Sequence, residues 1–120
     1  MDIEQEIQAK GLTAPRITPA DIEAAISSEH YFTAEQGAVA AEDEFVVGFK
    51  LGNSAGRDSL RLLTFCVLVL KNGFTVTGES ACASPENFDA ELGKKIARRN
   101  AEAKIWPLLG YELRSKLANG

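Results

Sequence analysis

Hydrophobic and polar positions alternate in two parts of the chain. In "EFVVGFKL" an apolar residue recurs at every second position from Phe45 to Leu51, which is the period of a half-buried strand. The segments "LRLLTFCVLVL" and "FTVTGESA" flank Asn72-Gly73, a dipeptide suited to the positive backbone angles of a tight hairpin turn. The pattern therefore predicts three antiparallel strands joined as a meander, at residues 44–51, 60–70 and 74–82.

A two-residue loop at Asn72-Gly73 would pair Val69 with Val76. In this register the strand before the turn is apolar on both faces, as is typical of a central strand that is covered twice. One long helix covers only one face of a three-stranded sheet. We expect a second copy of the chain to cover the other face, unless the N-terminal segment and residues 33–43 fold over it in a monomer. The residues predicted to form this oligomer interface are Leu62, Cys66, Leu68 and Leu70.

Two segments carry the signals of a helix start. Thr18-Pro19 and Ser84-Pro85 each place a capping hydroxyl before a proline, which is favoured at the first helical position. We predict a short helix near residues 19–28. After Pro85, apolar residues recur every three or four positions as far as Trp106, which predicts an amphipathic helix over residues 85–106 that Pro107 kinks or ends. A short final helix is expected after Gly110.

The predicted fold is therefore α+β: a three-stranded antiparallel sheet packed against the long helix, with a short N-terminal helix and a short C-terminal helix. A chain of 120 residues has the size of one domain, so residues 1–120 are assigned to a single domain. Residues 1–17 are expected to be a frayed N-terminal segment. Residues 33–43 and 52–59 are small and polar and are expected to be loops.

The charge of the chain argues against two classes of partner. The net charge is −4 and the pI is about 5.0, whereas proteins that bind nucleic acid or anionic membranes are generally basic. No apolar run approaches the roughly 20 residues that span a bilayer.

Residues 1–50 carry ten acidic and three basic residues (net −7), and residues 51–120 carry seven acidic and ten basic residues (net +3). This asymmetry is typical either of solvated surfaces or of a two-signed surface suited to self-assembly or a charged partner.

The stretch from Gly78 to Cys82, "GESAC", is close to the G-x-S-x-G motif of a hydrolase nucleophile elbow. An elbow serine lies in the sharp turn between a strand and a helix, but here four residues separate Ser80 from Pro85, and cysteine replaces the last glycine. The single histidine, His30, follows the first predicted helix, and nothing singles it out as a base for Ser80. No catalytic residue is predicted, and the protein is expected not to be an enzyme.

The chain has two cysteines, Cys66 and Cys82. In the predicted register their side chains lie on opposite faces of the hairpin, so free thiols are expected rather than a disulfide. Two cysteines and one histidine also fall short of the four ligands of a structural zinc site. No metal and no cofactor are predicted.

The segment "KKIARR" gives the predicted long helix one basic face. Such a face can bind phosphates, although Glu91 and Glu102 are placed to pair with it and it could simply be solvated. The aromatic residues around Pro107 either seal the core or form a contact patch. Aromatic residues do not interleave with the basic ones, which argues against single-stranded nucleic acid. The candidate binding face comprises Lys94, Lys95, Arg98, Arg99, Trp106, Tyr111 and Glu79.

Several segments occur together in an order that resembles one family of tailed-phage and prophage proteins. They are "TPADIEAAI", "EHYFT", "LTFCVLVLKNGFTVTGESACASPENFD", "KKIAR" and "KIWPLLGYELRSKL". The chain is similar to the gene product forty-nine / gene product sixty-six family of N4-like and Sf6-like phages over roughly residues 18–32 and 60–117. The resemblance implies a phage or prophage origin and expression in the cytoplasm of the bacterial host. It carries no established catalytic residue.

Small accessory phage proteins commonly act by binding host components, which is an analogy and not a property of a site. We expect a non-enzymatic accessory protein that binds a host or defence macromolecule and forms a homo-oligomer, most simply a dimer. The alternative is a protein that binds or sequesters a small anionic molecule or nucleotide on the basic helix face, and an enzyme is the third hypothesis. A groove joining Arg98 and Arg99 to aromatic side chains would favour the small ligand. A flat, exposed apolar patch would favour the protein partner.

Overall fold

The structure is a computed structural model, which describes residues 2–42 and 54–120. Within these ranges the chain forms one sheet, with helices before and between its strands and two consecutive helices after the last strand. A single 3₁₀ turn, Pro85–Asn87, follows the last strand. The helices are α1 (Ile3–Ala9), α2 (Pro19–Ala25), α3 (Ala34–Ala41), α4 (Ser54–Arg61), α5 (Ala90–Ala103) and α6 (Ile105–Asn119), and the strands are β1 (Ile26–Thr33), β2 (Leu63–Leu70) and β3 (Thr75–Ala81).

The sheet has the order β1-β2-β3 with both pairs antiparallel, and α5 packs across one of its faces. The predicted α+β fold, a three-stranded antiparallel sheet against a long helix, is confirmed. The first strand is Ile26–Thr33, however, which the sequence pattern assigned partly to the helix at 19–28. Serines at positions 27 and 28 are poor helix formers, and the residues from Tyr31 to Thr33 are aromatic or β-branched, so they favour a strand. The predicted strand at 44–51 lies outside the described residues.

The hairpin between β2 and β3 has a three-residue loop, so the predicted register is wrong by one residue. The N–H of Leu70 donates to the carbonyl oxygen of Phe74 at 2.8 Å, and Leu68 pairs with Val76. Gly73 closes the loop with φ of 90°, a conformation that a residue with a Cβ rarely adopts. A shift of one residue moves every side chain of a strand to the opposite face. Val76 therefore joins Leu68 in the core.

The face of β2 that was predicted to be an oligomer interface is the face that α5 covers. Three of its four residues, Cys66, Leu68 and Leu70, are buried, and Leu62 is half-buried beside the end of β3. No second chain can reach the three buried side chains in this fold, so that interface assignment is wrong. The hydrophobic core consists of Ile22, Cys66, Leu68, Leu70, Val76, Ala97, Ala101 and Ile105.

Small residues bring α5 unusually close to the sheet. A Cβ atom on Gly78 of β3 would overlap the carbonyl oxygen of Ala97 and the backbone nitrogen of Ala101. A Cβ atom on Gly93 would lie 3.1 Å from the hydroxyl oxygen of Thr64. The helix backbone therefore rests directly on β3, which only glycine permits at position 78.

The helix that was predicted at 85–106 begins at Ala90 and ends at Ala103 in the structure. Ser84 makes no capping hydrogen bond, whereas the side chain of Asp89 accepts a hydrogen bond from the backbone N–H of Leu92 at 3.0 Å and caps α5. The helix breaks after Ala103 and resumes at once as α6. Pro107 has no N–H to donate to the carbonyl of Ala103, and its ring crowds that carbonyl, so the predicted kink is confirmed. The C-terminal helix is longer than predicted because it includes Trp106 and Gly110.

Two segments that were predicted as loops contain helices. Residues 34–41 form α3, which starts at a capping box in which Thr33 and Gln36 exchange side-chain and backbone hydrogen bonds. Residues from Ser54 onward form α4 within the predicted loop at 52–59. In the N-terminal segment α1 is helical, and Arg16 binds both carboxylate oxygens of Glu4 at 2.7 and 2.9 Å.

Candidate functional site

The residues of the predicted binding face are distributed over three separate surfaces. Lys94, Lys95 and Arg99 are exposed on α5, and Arg98 is partly buried beside the sheet. Trp106 and Tyr111 are exposed on α6 by 41% and 78%. Glu79 lies on β3. The structure therefore does not bring these seven residues together as one site.

Arg98 is a structural residue and is not available to bind an anion. Its guanidinium lies 3.1 Å from a carboxylate oxygen of Glu23 on α2, 3.4 Å from Glu29 on β1 and 3.0 Å from Glu102 on α5. Partial burial lowers the pKa of Arg98, but Glu102, Glu23 and Glu29 outweigh burial and raise the pKa above its ordinary value. Three carboxylates surround a single positive charge, so this part of the predicted basic face is locally acidic.

The remaining basic residues of α5 form a small exposed group. Lys94 lies 3.8 Å from Glu91. Lys95 and Arg99 have no ion-pair partner within the part of the chain that the structure describes. Because these two residues are four apart on one helix, their side chains are neighbours on the side of α5 that faces away from the sheet.

Glu79 is separated from the basic residues by the sheet itself. Its partner across the hairpin is Phe65, so its side chain lies on the face opposite α5, together with Thr75 and Thr77. The carbonyl oxygen of Glu79 points outward at the free edge of β3 and accepts a hydrogen bond from the side-chain amide of Asn100 at 2.8 Å. That bond occupies one acceptor of an edge strand, an arrangement that hinders further strand pairing at this point.

Ser80 and His30 lie on opposite faces of the sheet. Ser80 pairs with Thr64 on the face that α5 covers, and His30 pairs with Val67 on the other face. The ring nitrogen Nε2 of His30 lies 3.0 Å from the hydroxyl oxygen of Ser28. Ser80 lines a cavity of about 120 Å³ next to Phe88, which is below the usual volume of a ligand pocket. The structure does not assemble a serine–histidine pair from these two residues.

The two cysteines are free thiols, although for a reason that differs from the predicted one. In the observed register Cys66 and Cys82 lie on the same face of the hairpin. Cys66 pairs with Gly78, whereas the N–H of Cys82 donates to the carbonyl oxygen of Leu62, the residue before β2. The two cysteines are therefore four positions, or about 13 Å, apart along the hairpin. Burial raises the pKa of the Cys66 thiol. Among residues 2–42 and 54–120, no group of three or more His, Cys, Asp or Glu could hold a metal ion.

The second face of the sheet is partly apolar. Phe65, Val67 and Val69 of β2 are half-buried on this face, and the rings of Phe32 and Phe65 are 5.5 Å apart between centroids. Helix α3 packs over the Phe32 end, where a Cβ atom on Gly37 would lie 3.7 Å from the Phe32 ring. The polar residues of β1 and β3 border the apolar row.

Helix α6 exposes apolar side chains around most of its circumference. Ile105 enters the core and Leu109 packs against it, which places one side of the helix towards α2. The large apolar residues of α6 that remain exposed are Trp106, Leu108, Tyr111 and Leu117. Leu108 and Leu117 were not part of the predicted binding face. The spacing of leucines after Pro107 was the available signal, but the sequence analysis predicted only a short helix after Gly110 and no exposed surface on it.

The helices of the structure and three comparisons with known proteins bear on the class of protein. No described helix is long and apolar enough to cross a membrane. Neither the curated proteins nor the solved structures with which the chain was compared match it. A family model, described as "Phage protein (N4 Gp49/phage Sf6 gene 66) family", matches residues 17–117, a range that includes the three described strands, α2 to α5 and all but the last two residues of α6. Because that match spans most of the 120 residues, the chain belongs to the N4 Gp49/phage Sf6 gene 66 family of phage proteins.

Proposed function

We propose that this phage-family protein is a non-enzymatic accessory protein that binds a host or defence protein in the cytoplasm of the bacterial host. Membership of the phage family supports the setting. The observation that supports protein binding is the exposed apolar surface of α6. An exposed apolar patch on a protein surface generally marks an interaction site.

The side of α6 that faces away from α2 has the composition of a protein interface. Leu108 and Tyr111 are three residues apart and are neighbours on this side. Lys104 lies one turn before Leu108 and is exposed. Tyrosine contributes a large share of binding energy at many interfaces, because its ring buries a large area and fixes only two side-chain torsions. A partner with an apolar groove and an acidic border fits this surface.

A small anionic ligand is the second candidate, because Lys95 and Arg99 are exposed and have no ion pair among the described residues. The surface around them is the convex side of a helix. The cavity between β1 and α5 that Tyr31 and Lys94 line has a volume of about 210 Å³, and neither Lys95 nor Arg99 lines it. Nucleotide-sized ligands generally occupy pockets of roughly 300 Å³ or more. A protein partner therefore fits the surface better than a nucleotide.

The test is affinity capture from infected host cells with quantitative mass spectrometry and matched variants. The wild-type protein is compared with the double variant Leu108→Ser/Tyr111→Ser and with the control variant Ile3→Ser, which removes an apolar residue of α1 that is about as exposed as Tyr111. We expect one or a few proteins that the wild type and the control retain and that the double variant loses. Equal recovery of all proteins by the double variant would overturn the proposed surface. A co-purifying nucleotide without any protein lost by the variant would favour the second candidate.

A further inference from the structure

The outer side of the two C-terminal helices carries an uninterrupted heptad spacing. Positions on this side are separated alternately by four and three residues, which is the spacing of the seam between two helices of a coiled coil. The spacing continues in the sequence across the break at Lys104, over a contour length of about 38 Å at 1.5 Å per helical residue. We call this set the heptad stripe; its residues are Leu92, Ile96, Arg99, Ala103, Trp106, Gly110, Leu113 and Leu117.

Five of the eight residues of the heptad stripe are exposed, and Ile96, Gly110 and Leu113 are half-buried. Leu92 is 54% exposed and Leu117 is 48% exposed, at the two ends of the stripe. A Cβ atom on Gly110 would meet no atom within 4 Å. On α5 the stripe lies on the other side of the helix from Ala97 and Ala101, which face the sheet. An amphipathic helix normally has one apolar side, so a second apolar side without a partner indicates a second contact.

The geometry points to a second copy of this chain as the partner, with the two heptad stripes packed antiparallel about a two-fold axis between Lys104 and Ile105. In that arrangement Leu92 lies opposite Leu117, and Ile96 lies opposite Leu113. Nearer the axis, Arg99 lies opposite Gly110, and Ala103 lies opposite Trp106. Every bulky residue in the middle of the stripe therefore meets a small one, as close packing requires. This match follows from the stripe alone, so the partner that it fits is another copy of the stripe.

A parallel pair does not give the same match. It would place Arg99 against Arg99 and Trp106 against Trp106, so that like charges and the two largest residues would meet near the middle of the contact. It would also place Gly110 against Gly110 and leave a void. In the antiparallel pair the aliphatic part of Arg99 can cover Gly110 of the other copy while its charge remains in water. Shape and charge thus favour the antiparallel arrangement.

The shape of the monomer agrees with a missing contact at the C-terminal helices. The molecule measures 58 × 32 × 18 Å, and its radius of gyration is 19.0 Å. A compact domain of this length has a radius of gyration of about 14 Å. Among the described elements, α6 makes its main contacts with α2 and α5. Antiparallel pairing would place α6 of each copy against α5 of the other and supply the neighbour that α6 lacks. We expect an interface below the standard size, with a dissociation constant on the order of micromolar.

The test introduces opposite charges at two positions that face each other in the predicted dimer. The molecular mass in solution is measured by sedimentation equilibrium or light scattering up to about 200 µM, well above the expected dissociation constant. The wild type should reach about twice 12.9 kDa, and Leu92→Glu alone or Leu117→Lys alone should remain near 12.9 kDa. The double variant Leu92→Glu/Leu117→Lys should regain the dimer, because opposite charges then face each other at both ends. Both positions are exposed, and circular dichroism checks that each variant is folded.

Three outcomes would each overturn the inference of an antiparallel dimer. A wild-type mass that stays near 12.9 kDa at the highest concentration excludes the dimer. A dimer that Leu92→Glu leaves intact places the interface elsewhere. Failure of the folded double variant to recover the dimer excludes antiparallel pairing, since a parallel pair would keep like charges opposed. The Leu108→Ser/Tyr111→Ser variant should dimerise normally, so loss of the host partner and loss of the dimer are separable results.

Discussion

Arg98 on α5 donates hydrogen bonds to both carboxylate oxygens of Glu23 on α2, at 3.3 and 3.1 Å, although the two residues are 75 positions apart in the sequence. Glu29 on β1 and Glu102 on α5 lie within 3.4 Å of the same guanidinium. Arg98 thereby connects three elements of the fold, and its side chain is only 23% exposed.

Replacing Arg98 should destabilise the protein. Arg98→Ala leaves three carboxylates close together without a counter-charge, and the expected loss is about 1–2 kcal/mol because the site is only partly screened by solvent. The measurement is urea unfolding at low and at high salt, where added salt should recover part of the loss. Lys95→Ala, three positions away on the same helix but exposed and without an ion pair among the described residues, should change the free energy of unfolding by less than about 0.5 kcal/mol. Equal effects of the two substitutions would contradict the role assigned to Arg98.

Gly78 should tolerate no side chain. A Cβ atom there would overlap the backbone of α5 at Ala97 and Ala101, and backbone cannot rotate away as a side chain can. We expect Gly78→Ala to destabilise the protein by about 3 kcal/mol or more, or to prevent folding. In the control Gly37→Ala, the added methyl group lies 3.7 Å from the Phe32 ring, so this substitution within α3 should be neutral or stabilising by up to about 1 kcal/mol. A stable Gly78→Ala protein in thermal unfolding would show that α5 does not rest on β3 so closely.

Asp89, and not Ser84, should be the cap of α5. Asp89→Ala removes the acceptor of the Leu92 N–H and should lower the free energy of unfolding by about 1 kcal/mol. Ser84→Ala should have an effect below about 0.5 kcal/mol, because the Ser84 side chain makes no capping hydrogen bond. Chemical denaturation of the two variants side by side distinguishes the positions. The reverse order of effects would place the helix start at Pro85.

Tyr31 should make the fold sensitive to alkaline pH. Burial, followed by Cys66 and Glu29, raises the pKa of Tyr31 to about 12, above its ordinary value of 10.0. The folded state therefore favours the neutral phenol. This contribution to stability is fully present below about pH 10 and is lost as the pH rises towards about 12. Cys66 contributes in the same direction because burial raises its pKa.

Urea unfolding at about pH 8 and about pH 11 measures this loss. The wild type should lose more stability between the two pH values than Tyr31→Phe, which cannot ionise at this position. Tyr111→Phe, at an exposed tyrosine on α6, should behave as the wild type does. An identical loss in the wild type and in Tyr31→Phe would exclude Tyr31 as the cause.

Local sequence signals were sufficient for the β2–β3 hairpin, the start of α2 and the kink at Pro107. Thr18 caps α2 with Pro19 at its first turn, as the sequence predicts, and the turn lies at Asn72-Gly73. These features depend on residues within a few positions of one another, so the sequence determines them directly. The order of distinctive segments likewise determined the family, to which residues 17–117 belong.

The register of the hairpin and the location of the exposed surfaces were decided by tertiary packing. Lys71-Asn72-Gly73 accommodates a two-residue or a three-residue loop, and only the three-residue loop places Val76 beside Leu68 under α5. Ile26–Thr33 became a strand because β2 offered it a partner. Arg98 lost its place in the binding face because folding brings Glu23 and Glu29 to it. Each of these outcomes depends on contacts between residues distant in sequence, and periodicity along the chain carries no information about such contacts.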